Sequence, residues 1–121
     1  MAKIMIVDDE VVFTETLCEC LRDEGHVVYT ECDGLQALTR MLEVRPDVVV
    51  SDVMMPEMGG APLLTAMREN ATLGEIPVII ISGLPEHSLP ASCDGYAAFL
   101  QKPFEIDAMI DAVRRVSSSS P

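Results

Sequence analysis

The sequence predicts a single α/β domain in which helices cover both faces of a five-stranded parallel β-sheet. Its length, 121 residues, fits one domain and is enough to bury a core. The apolar pattern switches repeatedly between short continuous runs and residues at helical spacing. Because the runs are apolar throughout rather than alternating, they indicate parallel strands buried on both faces.

The predicted elements follow one another as a β-α unit repeated five times. The apolar runs that predict strands cover residues 4–7, 27–29, 48–50, 78–81 and 96–100. Between and after these runs, helical spacing is shown by Phe13, Leu17 and Leu21, by Leu35, Leu38, Met41 and Leu42, by Leu63, Leu64 and Met67, and by Ile106, Met109, Ile110 and Val113.

Turn residues delimit these helices. Gly25 is expected to end the first helix, Asp33 and Gly34 to precede the second, and Pro62 to take the first position of the third. Two prolines interrupt the segment between the fourth and fifth strands, so we expect the fourth helix to be short or irregular. The low-complexity residues 117–121 predict a flexible tail or the start of a linker, which leaves residues 1–116 as the domain.

Composition excludes several classes of function. Twenty acidic residues against eight Lys and Arg give a formal charge of -12, which disfavours direct binding to nucleic acid. No apolar run approaches the roughly 18 residues of a membrane span, and the N-terminus lacks a signal-peptide pattern. The four cysteines have no metal-binding or redox spacing and are interpreted as reduced packing residues. We therefore expect a cytoplasmic protein that does not contact a membrane.

Polar residues follow the predicted strands where ligands of open parallel sheets bind, beyond the carboxyl ends. They are Asp8, Asp9, Glu10, Asp52, Ser82 and Lys102. Neighbouring ionised carboxylates need a cation, and oxygen-only ligands favour Mg²⁺. Since no His or Cys shares this edge, a carboxylate is the natural nucleophile, and the set suits phosphoryl transfer. Glu10 is interpreted as a first-turn helix charge rather than a metal ligand.

Four stretches carry a family resemblance: "IVDDE", "VVVSDVMMPEMGG", "IIISG" and "FLQKPF". In order and spacing they resemble the receiver domain of two-component response regulators, and the resemblance covers residues 3–116. It implies a flavodoxin-like fold with strand order 2-1-3-4-5. The spacing from Ser82 to Lys102 is about two residues shorter than the family's, which again points to an abbreviated fourth helix.

The resemblance also implies roles for the acidic residues. Asp52 would be the phosphoacceptor, and Asp8 and Asp9 would hold Mg²⁺ together with Asp52 and the backbone carbonyl of Met54. Lys102 would pair with Asp52 or with the new phosphoryl oxygens.

Three further residues match the family's switch and loop positions. Ser82 would be the switch hydroxyl and Phe99 the switch aromatic, while the Lys102–Pro103 bond matches a peptide that the family holds cis. The implied function is a signalling switch that catalyses its own Mg²⁺-dependent phosphorylation and dephosphorylation. The implied partners are a histidine kinase or histidine phosphotransfer protein as donor, and a downstream protein or attached effector domain as target.

Two other functions remain open from the residues alone. A haloacid-dehalogenase-type hydrolase would also use an aspartyl nucleophile, but such enzymes place a second Asp two positions later, where this chain has Met54. A degenerate interaction module would keep the fold without taking phosphate. The intact set of Asp8, Asp9, Asp52 and Lys102 argues against this module.

Overall fold

The computed structural model describes residues 2–54 and 58–118, and strands and helices alternate along most of this part of the chain. The elements are β1 (Lys3–Val7), α1 (Val11–Asp23), β2 (Val27–Glu31), α2 (Gly34–Val44), β3 (Val48–Asp52), α3 (Gly60–Glu69), β4 (Val78–Ser82), β5 (Ala98–Gln101) and α4 (Ile106–Ser118).

The five strands form one parallel sheet in the order β2-β1-β3-β4-β5, which confirms the predicted fold class. Successive side chains of a strand point to opposite faces, and β1 therefore contributes to two cores. Ile4 and Ile6 pack with Leu17 of α1 and Met109 of α4. Met5 and Val7 pack on the other face in a cluster that takes in α2 and α3 through Met41 and Leu64.

The segment between β4 and β5 contains a single 3-10 turn, Glu86–Ser88, instead of a full helix. Pro85 precedes this turn in an extended conformation, and Leu89, which ends it, is extended as well. The residue before a proline disfavours the helical region, so Pro90 holds the chain extended there. The expectation of a short or irregular fourth helix is confirmed, and the last helix of the described residues is accordingly α4.

Several predicted boundaries differ from the structure. Strands β3 and β4 run on to Asp52 and Ser82, because polar residues at a strand end can still complete the ladder. Pro62 is the third residue of α3 rather than the first, which is tolerated since the first-turn N–H groups have no helical partner. Helix α4 continues through Ser118, past the predicted domain end at 116, and residues 119–121 lie outside the described residues.

The turn residues at the first two helices behave as predicted. Gly25 follows α1 with φ +94°, and the Asp33 side chain caps α2 by accepting the Gln36 N–H at 2.8 Å.

The cysteines are free thiols, but Cys32 is exposed, so its interpretation as a packing residue is wrong. Among the helices of the described residues, none combines the length and apolar character that a membrane span needs.

The outer edge of the sheet at β2 is covered by two arginines. The Arg22 guanidinium donates to the carbonyl of Val28 at 2.9 Å, and the Arg40 guanidinium donates to that of Thr30 at 3.3 Å. Arg40 also forms an ion pair with Glu31 at 2.7 Å and lies 5.2 Å from the Tyr29 ring centroid. These contacts hold both side chains along the strand.

We expect Gly60→Ala to destabilise the protein by about 1–3 kcal/mol, although alanine favours helices over glycine. A Cβ atom at Gly60, the first residue of α3, would lie 2.6 Å from the backbone oxygen of Asp52. The Gly60 N–H also bonds the Val53 carbonyl at 2.9 Å, so the helix cannot move away freely. Urea unfolding would measure the change.

Gly83→Ala is the matched control for this substitution, because a Cβ atom there meets no other atom within 4 Å. Its free energy of unfolding should stay within about 0.5 kcal/mol of the parent value. Equal stability of the two variants would contradict the close approach of α3 to β3.

Candidate functional site

Two carboxylates meet at the carboxyl end of the sheet because β1 and β3 are neighbours. Val7, the last residue of β1, lies opposite Ser51 in the ladder, so Asp8 stands beside Asp52. The side chain of Asp8 is fully buried and that of Asp52 is 10% exposed. Asp8 Oδ1 accepts the Glu10 N–H at 2.9 Å, and Asp52 Oδ1 accepts the Met54 N–H at 3.3 Å. Backbone groups therefore orient both carboxylates.

The Lys102 ammonium lies among three carboxylates. Its Nζ atom is 2.9 Å from Asp8 Oδ2, 3.0 Å from Asp52 Oδ2 and 2.7 Å from Glu10 Oε1. The Lys102 N–H donates to the Ser82 carbonyl at 2.7 Å, which places the lysine directly after β5, and the following peptide bond to Pro103 is cis. One cation thus neutralises part of a charge cluster drawn from three segments of the chain.

Burial and ion pairing act on the pKa values of this cluster in opposite directions. Partial burial alone would lower the pKa of Lys102, but hydrogen bonds to Glu10, Asp8 and Asp52 outweigh it and raise that pKa above its ordinary value. Burial raises the pKa of Asp8, and the hydrogen bond from Lys102 offsets only part of this effect. Lys102 therefore remains a cation throughout the physiological range.

Glu10 belongs to this cluster, contrary to its interpretation as a first-turn charge. It occupies the N-cap position of α1, and its carboxylate reaches the lysine although the side chain is 61% exposed. Oxygens of Asp8, Glu10 and Asp52 lie within 4.8 Å of one another. Asp9 is exposed and is not among these three. The position of Glu10, two residues beyond the buried Asp8, is the signal that could have pointed to this role.

The two predicted switch residues, Ser82 and Phe99, lie on β4 and β5, the two strands that follow β3 across the sheet. Ser82, buried at the end of β4, accepts the Leu84 N–H through Oγ at 2.9 Å. Phe99 stands opposite Ile80 in the ladder of β4 and β5, and its ring lies 6.4 Å from that of Tyr96. It packs against the core cluster that contains Met5. Met54, whose backbone carbonyl is a predicted metal ligand, donates its N–H to Asp52, and the residue is 70% exposed.

Comparison with known proteins decides the family. The sequence profile described as "Response regulator receiver domain" matches residues 4–114. The chain belongs to the response regulator receiver domain family. Accepting a phosphoryl group is the function of that family, so the hydrolase alternative is not supported.

Individual relatives agree with the receiver domain assignment. The probable transcriptional regulatory protein TcrX of Mycobacterium tuberculosis is 35% identical over 114 residues, covering 92% of this chain and 47% of TcrX. The chemotaxis response regulator CheY4 of Vibrio cholerae superposes with a TM-score of 0.87 at 31% identity, covering 96% of this chain and 98% of CheY4. The receiver domain of Francisella response regulator 1452 gives a TM-score of 0.90 at 28% identity, covering 100% of both chains.

This receiver domain spans about half the length of the curated relatives that it matches.

Its cluster of three carboxylates offers oxygen donors only, which fits a hard divalent cation. The Lys102 ammonium already binds one oxygen of Asp8 and one oxygen of Asp52. A divalent ion bound to the same carboxylates would therefore lie close to the ammonium. A metal ion at this position would compete with the lysine for the oxygens of these two side chains.

Proposed function

We propose that Asp52 is the phosphoacceptor of this receiver domain. The observation that carries the proposal is the carboxylate of Asp52, nearly buried at the end of β3 with one oxygen bonded to Lys102 and the other to the Met54 N–H. A nucleophile needs an orientation set by its neighbours and a nearby group that neutralises developing charge. The contacts of Asp52 meet both needs.

In the proposed reaction a carboxylate oxygen of Asp52 attacks phosphorus as the bond between phosphorus and the donor breaks, and the donor departs with that bond's electrons. The donor is a phosphohistidine of a histidine kinase or histidine phosphotransfer protein, and acetyl phosphate is a small-molecule substitute. Lys102, a cation at 3.0 Å from Asp52, would pair with the phosphoryl oxygens. Ser82, at the end of the neighbouring strand, would supply a hydroxyl to them.

The proposed cofactor is Mg²⁺, held by Asp8, Asp9, Asp52 and the backbone carbonyl of Met54. When bound, the ion would supply positive charge to the phosphoryl oxygens. The three carboxylates within 4.8 Å support a divalent site at this edge, with Glu10 as a further carboxylate oxygen at its rim. We also propose a cytoplasmic location for this protein, with which its four free thiols accord.

The proposed output is a change in partner binding, by a downstream protein or an effector domain attached to the receiver domain. Ser82 supports this proposal because its Oγ atom accepts the Leu84 N–H at the start of the irregular segment before β5. A rotation of the Ser82 side chain toward a phosphoryl group would weaken or break that bond. Phosphorylation would thereby alter the segment that contains the 3-10 turn, with Phe99 turning in the same switch.

Phosphorylation by acetyl phosphate tests the proposed function. We expect intact-protein mass spectrometry to show the addition of one phosphoryl group in the presence of Mg²⁺ and none in excess chelator. Beryllium fluoride with Mg²⁺ should shift amide resonances around Ser82 and Leu84. A parent protein that gains no phosphoryl group and shows no such shifts would overturn the proposal in favour of a degenerate interaction module.

We expect Met54→Asn and Leu84→Glu each to speed loss of the phosphoryl group by about tenfold. In the family, the positions two residues beyond the acceptor and the switch hydroxyl flank the path of the attacking water. Met54 and Leu84 are 70% and 49% exposed, and neither can orient water by hydrogen bonding. The rate would be followed by mass spectrometry after removal of acetyl phosphate.

Val12→Asn is the control for these two variants, since Val12 on α1 is also an exposed apolar residue, at 79%. It should leave the lifetime unchanged. Lifetimes of the Met54 and Leu84 variants that equal or exceed that of the parent would contradict the role of these positions.

A further inference from the structure

The Lys102 ammonium has a fourth neighbour that is not a carboxylate. Its Nζ atom lies 4.7 Å from the centroid of the Phe13 ring, within the roughly 6 Å over which a cation is attracted by an aromatic face. The three N–H groups of the ammonium are engaged by Asp8, Glu10 and Asp52, so the ring adds to these bonds and replaces none of them.

The Phe13 ring is itself held in place. It is half-buried in the first turn of α1, and the Phe104 ring meets it edge to face, with a centroid distance of 5.7 Å and an interplanar angle of 82°. Phe104 follows Lys102 by two residues, so the loop after β5 contacts Phe13 through both the ammonium and a second ring. Such edge-to-face pairs favour this relative arrangement of the two rings, in addition to the packing of Phe13 against the core.

We propose that Phe13 is a positioning residue for Lys102, holding the ammonium beside Asp52 when a divalent ion occupies the carboxylates. This inference rests on the proposed function. Asp8 and Asp52 are the two carboxylates for which the lysine and the ion compete, whereas the ring offers no oxygen to a hard cation. The contact with Phe13 is therefore one that the ion leaves intact, and it keeps the cation within reach of the incoming phosphoryl group.

Lysine side-chain NMR tests this position without any measurement of activity. The sequence contains two lysines, Lys3 and Lys102, so selective labelling gives two sets of ε-methylene signals. Lys3 is exposed and donates to the Val44 carbonyl, which makes it an internal reference. We expect the ring current of Phe13 to displace the Lys102 protons in the parent and in Phe13→Tyr, and the displacement to persist in saturating Mg²⁺. In Phe13→Leu it should be lost.

Phosphorylation kinetics supply the second readout. At saturating Mg²⁺ and acetyl phosphate, Phe13→Leu should be phosphorylated about twofold to thirtyfold more slowly, while Phe13→Tyr should stay near the parent rate. Phe104→Leu is the control for altered packing, because it removes the neighbouring ring and leaves Phe13 in contact with the ammonium. It should retain most of the displacement of the Lys102 signals.

The outcomes separate this inference from the proposed function. Loss of the Lys102 displacement when Mg²⁺ is added to the parent, or a Phe13→Leu variant phosphorylated at the parent rate, would overturn the role of Phe13 alone. Absence of phosphorylation in the parent would instead overturn the proposed function. A Phe13→Tyr variant as slow as Phe13→Leu would show that packing, and not the aromatic face, decides the rate, and would also overturn the inference.

Discussion

Replacement of Asp52 by Asn is expected to abolish phosphorylation by acetyl phosphate, a loss of about a thousandfold or more. The amide is not a competent nucleophile, and it also removes a negative charge from the proposed metal site. Because the Asn side chain has the same shape and can still accept a hydrogen bond from the Met54 N–H, the fold should survive. Mass spectrometry after incubation with acetyl phosphate and Mg²⁺ would measure the loss.

Asp23→Asn is the matched control for this variant, since Asp23 is an exposed acid at the end of α1. It should accept a phosphoryl group at the parent rate, and both variants should unfold at urea concentrations close to that of the parent. A stable phosphoryl group on the Asp52→Asn protein would assign the acceptor to another side chain.

Replacement of Lys102 by Ala should make the protein depend on a divalent ion for its stability. Without the ammonium, the carboxylates of Asp8, Glu10 and Asp52 lose the one cation that is bonded to all three of them in the described part of the chain. Loss of one partner from a buried pair costs about 3–5 kcal/mol, and the partial exposure of this cluster reduces the expected loss to about 2 kcal/mol in chelator. Urea unfolding in chelator would measure this difference.

Mg²⁺ should restore the stability of the Lys102→Ala variant and should bind it roughly tenfold more tightly than it binds the parent, because the ammonium no longer competes for Asp8 and Asp52. The response of amide resonances to beryllium fluoride should be lost or strongly reduced. Lys3→Ala removes the other lysine, and its smaller effect should not depend on Mg²⁺. Equal Mg²⁺ affinity of parent and Lys102→Ala would contradict the competition.

The parallel sheet could be predicted because β1, β3 and β4 are buried on both faces and read as apolar runs. The ends of strands were harder: Thr30 and Glu31 belong to β2, but this strand lies at the sheet edge, where polar residues are tolerated. Likewise, Asp52 and Ser82 complete β3 and β4 although they are polar. Both residues are also buried, so the apolar pattern ends one or two residues before the burial and the strand pairing do.

The site was predictable to the extent that the topology determines it. Parallel strands bring their carboxyl ends to one edge, and this places Asp8, Asp52 and Lys102 together. Glu10 and Phe13 were missed as neighbours of the lysine because their contacts depend on the path of the Lys102 side chain, which periodicity does not describe. The metal-binding role of Asp9 remains a prediction, since its exposed side chain lies outside the cluster of three carboxylates.

The arginines along β2 have a consequence for how copies of this chain can associate. An edge strand presents unpaired carbonyl and N–H groups, which invite another strand to extend the sheet. Here the outward carbonyls of Val28 and Thr30 are already bonded to Arg22 and Arg40. An approaching strand would have to displace two guanidinium groups, one of them also paired with Glu31, before its own ladder could form. The β2 side is thereby protected against β-sheet extension and the aggregation that it can start.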